Sequence, residues 1–185
     1  LALSYRGIDA LKSANIFDEI EPYLIPMKGR MIHHKDGKLE FQPYSIRGHE
    51  YINSVSRGTL NKILMNQAEA SGKVEIFFDH SLVEINDNTN ELIFNNGVKI
   101  PLSSHIFGAD GSSSIIRSYI DKKVTSTSVI EPLGHSYKEL HISPSKDGDY
   151  QLEPHALHIW PRRKFMLIAL PNSDKSFTCT LFLPK

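Results

Sequence analysis

With 185 residues, the chain is long enough for one large domain or one and a half small ones, and it can bury a real core. Lysine plus arginine and aspartate plus glutamate balance at 21 each, so no global field favours nucleic acid or an anionic membrane. The longest apolar run, 165–170, is far too short to cross a bilayer, and no leader peptide is visible.

Ser4 can cap a helix that runs to about Ile20, because Ile8, Leu11 and Ala14 recur at helical spacing. Pro22 and Pro26 close that region. Segments 29–34 and 38–42 flank Lys35-Asp36-Gly37, a hairpin turn in which glycine supplies the positive φ. A second helix is predicted from near Ser56 through Leu60, Ile63, Leu64 and Ala68, with Gly72 as its stop. Short strands are predicted at 74–78, 82–85, 91–94 and 98–102, and Asn95-Asn96-Gly97 forms another hairpin turn.

The stretch His105-Ile-Phe-Gly-Ala-Asp-Gly-Ser-Ser-Ser-Ile-Ile-Arg117 reads as an apolar strand at 105–109, a tight Asp110-Gly111 turn and a helix over about 112–120. A strand feeding a helix N-terminus offers unpaired N–H groups and a positive dipole end, which suits the phosphate or ribityl oxygens of a nucleotide cofactor. An ordinary strand–turn–helix connection with serine caps reads equally well from these residues.

After Asp121 the composition changes. Residues 122–128 read as a polar connection, and extended segments follow at 135–142, 156–160, 165–170 and 177–183. Helices interleaved with strands, then a run of strands, predict a mixed α/β fold. A nucleotide-binding part over 1–121, with an inserted hairpin, joins a mostly antiparallel sheet over 122–185. Cys179 is the single cysteine and reads as core, so no intrachain disulfide can form and a reducing, cytoplasmic setting is expected. His33 and His34 are adjacent and point to opposite faces of a strand, and His155 and His158 have a spacing that suits a helix better. No metal site is expected.

Seven blocks, in order, resemble the kynurenine 3-monooxygenase family of FAD-dependent aromatic-ring hydroxylases. They are Leu1-Ala-Leu-Ser-Tyr-Arg-Gly7, Ile25-Pro-Met-Lys-Gly-Arg-Met-Ile-His33, Ser54-Val-Ser-Arg-Gly-Thr-Leu-Asn-Lys62, Gly108-Ala-Asp-Gly111, Leu157-His-Ile-Trp-Pro-Arg162, Phe165-Met-Leu-Ile-Ala-Leu-Pro-Asn172 and Lys175-Ser-Phe-Thr-Cys-Thr-Leu-Phe182. The resemblance implies a partial FAD-binding, Rossmann-like domain joined to a substrate-domain sheet. It implies NADPH as co-substrate and L-kynurenine as the aromatic amino acid hydroxylated at C3. The family's Gly-x-Gly-x-x-Gly turn would lie upstream of Leu1, and its Gly-Asp motif and C-terminal helices downstream of Lys185. The chain is therefore expected to be the middle of such an enzyme, inactive by itself.

The resemblance also implies roles. Arg30 would hold the substrate carboxylate, a task that suits a planar guanidinium, with the phenol of Tyr44 as its partner. Leu157, Ile159, Phe165 and Phe177 would roof the aromatic ring. Arg57, Ala2 and Leu82 would contact FAD, and the Asp110-Gly111 turn is linked with both FAD and NADPH. Arg57 opens the second helix, where a cation opposes the macrodipole unless an anion lies nearby. Each of these residues also has an ordinary structural reading, as surface charge or core. No residue stands out as a general acid or base. A flavoprotein hydroxylase for another aromatic, or a non-catalytic small-molecule binding domain, remains an alternative.

Overall fold

A short strand, β1 (Ala2–Leu3), and a helix, α1 (Tyr5–Ser13), open the computed structural model, which describes residues 1–47, 50–103, 105–124 and 128–185. The helix expected to reach Ile20 is interrupted. Asn15 takes a left-handed φ of 55°, a conformation asparagine tolerates at helix ends, and a separate turn, α2 (Phe17–Ile20), follows. Ser4 sits at the N-cap of α1 without a side-chain cap bond. The break lets fully buried Ile20 pack with Leu3, Val55 and Leu60, while Ile8 and Leu11 of α1 cover the cluster.

Strands β2 (Ile25–Met27), β3 (Gly29–His33), β4 (Leu39–Pro43) and β5 (Ile52–Ser54) come next, then helix α3 (Arg57–Ala70). β1, β5 and β2 form a small antiparallel sheet in that order. The β3–β4 hairpin turns where expected, with Gly37 at φ 87°. α3 starts on Ser56, whose hydroxyl accepts from the Thr59 amide at 3.4 Å.

A second unit, Glu75–Pro132, carries β6 (Leu82–Asn86), β7 (Glu91–Phe94), β8 (Lys99–Pro101) and helix α4 (Ile115–Lys123). The three strands form an antiparallel meander. The strands expected at 74–78 and 105–109 join no sheet. Apolar composition makes a segment suited to a ladder, but only a neighbouring backbone makes it a strand. α4 begins later than the three serines suggested, because Ser114 supplies its cap, accepting from the Arg117 amide at 2.9 Å. Of the polar connection expected over 122–128, residues 125–127 lie outside the described residues.

The last strands, β9 (His135–Ile142), β10 (Ala156–Arg162), β11 (Phe165–Pro171) and β12 (Phe177–Pro184), form a six-stranded sheet with the early hairpin, in the order β4-β3-β10-β11-β12-β9. Every ladder is antiparallel except β3 against β10. Leu1–Val74 and Leu133–Lys185 therefore form one compact unit. That grouping does not follow a line at 121–122, because β3 and β10 share a ladder across it.

Alternation gives this sheet two faces. One carries Ala156, His158 and Trp160 with their cross-strand neighbours Ala169, Cys179 and Met31. Ala169, Phe177 and Cys179 form its buried centre, packed by Ile142, Tyr150, Leu152, Trp160 and Leu167. Burial pushes the Cys179 thiol above its ordinary pKa, as befits a core residue. The other face carries Arg30, Ile32, Leu157 and Ile159.

Candidate functional site

Arg30 reaches its place because β3 and β4 run unusually close together. A Cβ at Gly29 would stand 2.9 Å from the Pro43 Cα and 2.7 Å from the Phe41 ring, so only glycine fits before Arg30. Tyr44 follows β4 directly, and its amide donates to the Lys28 carbonyl at 3.1 Å. Together these contacts set the Arg30 guanidinium over the Tyr44 ring, 5.4 Å from its centroid.

The pair is chemically unfinished. The Tyr44 hydroxyl is closed off from water and makes no hydrogen bond among the described residues. Burial pushes its pKa up, and the Arg30 guanidinium partly offsets that. A guanidinium can only donate, so the phenolic hydrogen still lacks an acceptor. Arg30 itself is exposed and, among the described residues, pairs with no carboxylate. Glu40 stands nearby on β4 but is engaged by Gln42 at 2.9 Å and His34 at 3.0 Å. An exposed cation therefore lies over the ring of a tyrosine whose hydroxyl lacks an acceptor, and both groups are donors of the kind a carboxylate takes. A groove of about 310 Å³ runs beside Tyr44, lined by Pro43, Ser45, Ile46, Arg47 and Glu50.

The sheet brings some expected residues to Arg30 and withholds others. Leu157 stands directly opposite Arg30, and Ile159 opposite Ile32. Ile168 continues that row from β11. Ile32 and Ile168 were missed in the sequence, although alternation from Arg30 along β3 would have found Ile32. Phe165 and Phe177 lie on the reverse face. Phe177 is 0% exposed within the core, and Phe165 is 48% exposed at the end of β11.

Ala2 is exposed on β1, opposite Ser54, and Arg57 is the exposed first residue of α3. No carboxylate pairs with Arg57 among the described residues, so its charge opposes the helix dipole by about 0.3–1 kcal/mol until an anion arrives. Leu82, Asp110 and Gly111 belong to the other unit. Leu82 is half-buried at the start of β6, opposite Phe94.

Asp110 is already occupied. Its Oδ1 accepts from the Ser114 hydroxyl at 2.6 Å, and its Oδ2 accepts from the amides of Ile115 at 2.7 Å and Ile116 at 3.3 Å. These bonds, the Ser114 hydroxyl first, hold the carboxyl below its ordinary pKa. The carboxylate sits where a phosphate would dock at the N-terminus of α4. Gly111 has φ 79°, and a side chain there would meet nothing within 4 Å, so the glycine serves backbone conformation.

No protein-family model matches the chain. Over its whole length it is 45% identical to the kynurenine 3-monooxygenase of Myxococcus xanthus and spans 40% of that protein. It is 42% identical to the kynurenine 3-monooxygenase of Sus scrofa and spans 39% of it. The chain is similar, from end to end, to part of kynurenine 3-monooxygenase. Its fold matches that of HpxO from Klebsiella pneumoniae, solved with FAD and uric acid, with a TM-score of 0.72 at 14% identity over 100% of this chain and 46% of that one. At that identity the likeness concerns the fold alone.

One cluster in this kynurenine 3-monooxygenase-like stretch went unread in the sequence. His33 and His158, 125 residues apart, share a hydrogen bond of 2.8 Å on the face opposite Arg30. His33 stacks on Trp160 with ring centroids 3.9 Å apart. An open groove of about 770 Å³ beside them is lined by Met31, Leu39, Tyr150 and Leu152. Alternation of His158 and Trp160 was the only available signal, and it could not name the partner strand. Among the described residues no three His, Cys, Asp or Glu side chains group as metal ligands, and no helix is long and apolar enough to cross a membrane.

Proposed function

We propose that this chain supplies the substrate-carboxylate grip of an FAD-dependent, NADPH-consuming monooxygenase that hydroxylates L-kynurenine at C3. The observation that carries the reading is the buried, unspent Tyr44 hydroxyl beside the unpaired Arg30 guanidinium. Arg30 takes the amino-acid carboxylate through parallel N–H donors, and Tyr44 completes the set with its O–H. Leu157 and Ile159, on the same face, give the aromatic ring an apolar surface that excludes water. Phe177 stiffens the sheet from behind, and Phe165 lies at the end of that reverse face.

The flavin, when bound, supplies the oxygen chemistry that no side chain of this stretch can perform. Arg57 at the head of α3 suits the negative charge of its phosphates, with Ala2 close by on β1. Asp110 and Gly111 shape the turn before α4, and the Asp110 carboxylate keeps an acceptor site for a sugar hydroxyl of a nucleotide cofactor. The zero net charge supports a small-molecule partner over nucleic acid or a membrane, and the single buried cysteine supports a cytoplasmic setting.

The test uses the full-length protein. Its visible spectrum should show bound flavin, and L-kynurenine should perturb that spectrum. Arg30→Ala should weaken kynurenine binding by about 10- to 100-fold, the scale of a lost charge-assisted hydrogen bond. A colourless full-length protein defeats the flavin reading. Unchanged affinity in Arg30→Ala defeats the carboxylate site and favours a different aromatic substrate.

A further inference from the structure

The geometry points to His33 and His158 as positioning residues that lock the β3–β4 hairpin, and with it Arg30, in register on β10. This role rests on the carboxylate reading of Arg30 and Tyr44. The hairpin joins the six-stranded sheet through one parallel ladder, Gly29 to Ile32 against Ala156 to Ile159. A slip of one residue would carry Arg30 to the face of Met31 and His33, and packing on two unlike faces opposes it. A slide of two residues keeps every side chain on its own face, so apolar burial resists it only weakly.

The imidazole pair separates those registers. His158 lies opposite Met31, and His33, two residues further along the same face, reaches back to it diagonally. A slide of two sets the rings straight across the ladder or parts them, and either breaks the diagonal line from Nε2 to Nδ1. Arg162 adds a second fastening on the same strand pair, its Nη1 donating to the His33 carbonyl at 3.0 Å.

Chemistry fixes the proton order. The Glu153 carbonyl can only accept, so Nε2 of His158 carries a hydrogen and donates to it at 2.8 Å. Neutral His158 then presents a bare Nδ1, and His33 donates to it from its own Nε2–H. His158 is 2% exposed, edge-on to Phe177, so its nitrogens have no water to fall back on. Burial holds both imidazoles below their ordinary pKa, and for His33 the charges of His158 and Arg162 add to the effect. The other titratable groups lining this side are Asp149, Tyr150, Glu153, His155 and Lys175. Neither carboxylate bonds an imidazole of the pair: Glu153 caps the His155 amide at 3.0 Å, and Asp149 meets Lys175 at 3.6 Å.

In the full-length protein, His33→Leu should raise KM for L-kynurenine about tenfold and leave kcat within about twofold, the pattern of lost uniform binding. His33→Gln keeps an N–H where Nε2 stood and should return KM to within about threefold of the unmodified protein. A merely structural loss would not be rescued in KM alone. Nitrogen NMR of histidine-labelled full-length protein needs no variant to fold. It should show His158 protonated at Nε2 only, with a coupling across the bond from His33 Nε2 to His158 Nδ1. Protonation of His158 at Nδ1, or an unchanged KM in His33→Leu, overturns the positioning role. Arg30→Ala separates the two levels: if it also leaves KM unchanged, the carboxylate site itself fails. If it raises KM where His33→Leu does not, the positioning role fails alone.

Discussion

Tyr44 carries a cost in the free protein that its ligand would remove. A hydroxyl closed off from water without an acceptor costs about 1–3 kcal/mol. Tyr44→Phe should therefore melt at the same or a higher temperature than the unmodified protein while binding L-kynurenine about tenfold more weakly. A lower melting temperature with intact affinity would show that the hydroxyl finds its acceptor within the fold. The imidazoles of His33 and His158 make a second residue-scale prediction. Both pKa values are lowered by burial from 6.5, so below that value the unfolded chain binds protons that the folded one refuses. Their contribution is whole above about pH 6.5 and fades as pH falls toward the folded values. Between about pH 7.5 and about pH 5.5 the urea midpoint should fall more in the unmodified protein than in His33→Gln, whose amide cannot titrate. Equal falls would place the pH dependence elsewhere. Arg30 could be named from the sequence through its block, but its freedom from Glu40 could not, because that depends on where Gln42 and His34 point.

The β3–β4 hairpin is the element on which the site depends, and Gly29 is its narrowest point. Any side chain there meets the β4 backbone, so Gly29→Ala should destabilise the protein by about 1–3 kcal/mol and weaken kynurenine binding as Arg30 shifts. Chemical denaturation with a parallel binding titration checks both, and an unperturbed hairpin in Gly29→Ala would remove the packing argument. Hairpin turns were legible because Gly37 and Gly97 adopt the positive φ their loops require. α3 was legible because Ser56 supplies its cap and an apolar series at helical spacing follows it. The start of α4 was not, since Ser112, Ser113 and Ser114 qualify equally. The choice falls to Asp110, whose carboxylate reaches the Ile115 and Ile116 amides and fixes Ser114 as the cap. The break at Asn15 escaped for a similar reason: helical spacing continues across it, and only the burial of Ile20 makes the interruption favourable.

Across the whole molecule, burial is uneven. The unit Leu1–Val74 with Leu133–Lys185 holds both apolar clusters, whereas among the described residues of Glu75–Pro132 Ser114 alone is buried. Local opening follows local packing. Amide protons of β6, β7 and β8 should therefore exchange at least about tenfold faster than those of β10, β11 and β12 in this chain, read by hydrogen-exchange mass spectrometry. Equal protection would mean that the small meander draws stability from a source its own packing does not reveal.

Composition, alternation and turn chemistry settled the inventory: helices near the start and after Ser56, hairpins at the glycine turns, four extended segments at the end, and a buried cysteine. Those features are local, because a few neighbouring residues contain the whole cause. Which strands lie side by side is a long-range matter. The parallel ladder of β3 on β10, the separation of Leu157 and Ile159 from Phe165 and Phe177, and the meeting of His33 with His158 all arise from contacts across more than a hundred residues or from a face chosen by packing. A period of two says that alternate residues share a face, but only the folded sheet decides which face closes on the core and which is left open beside Arg30.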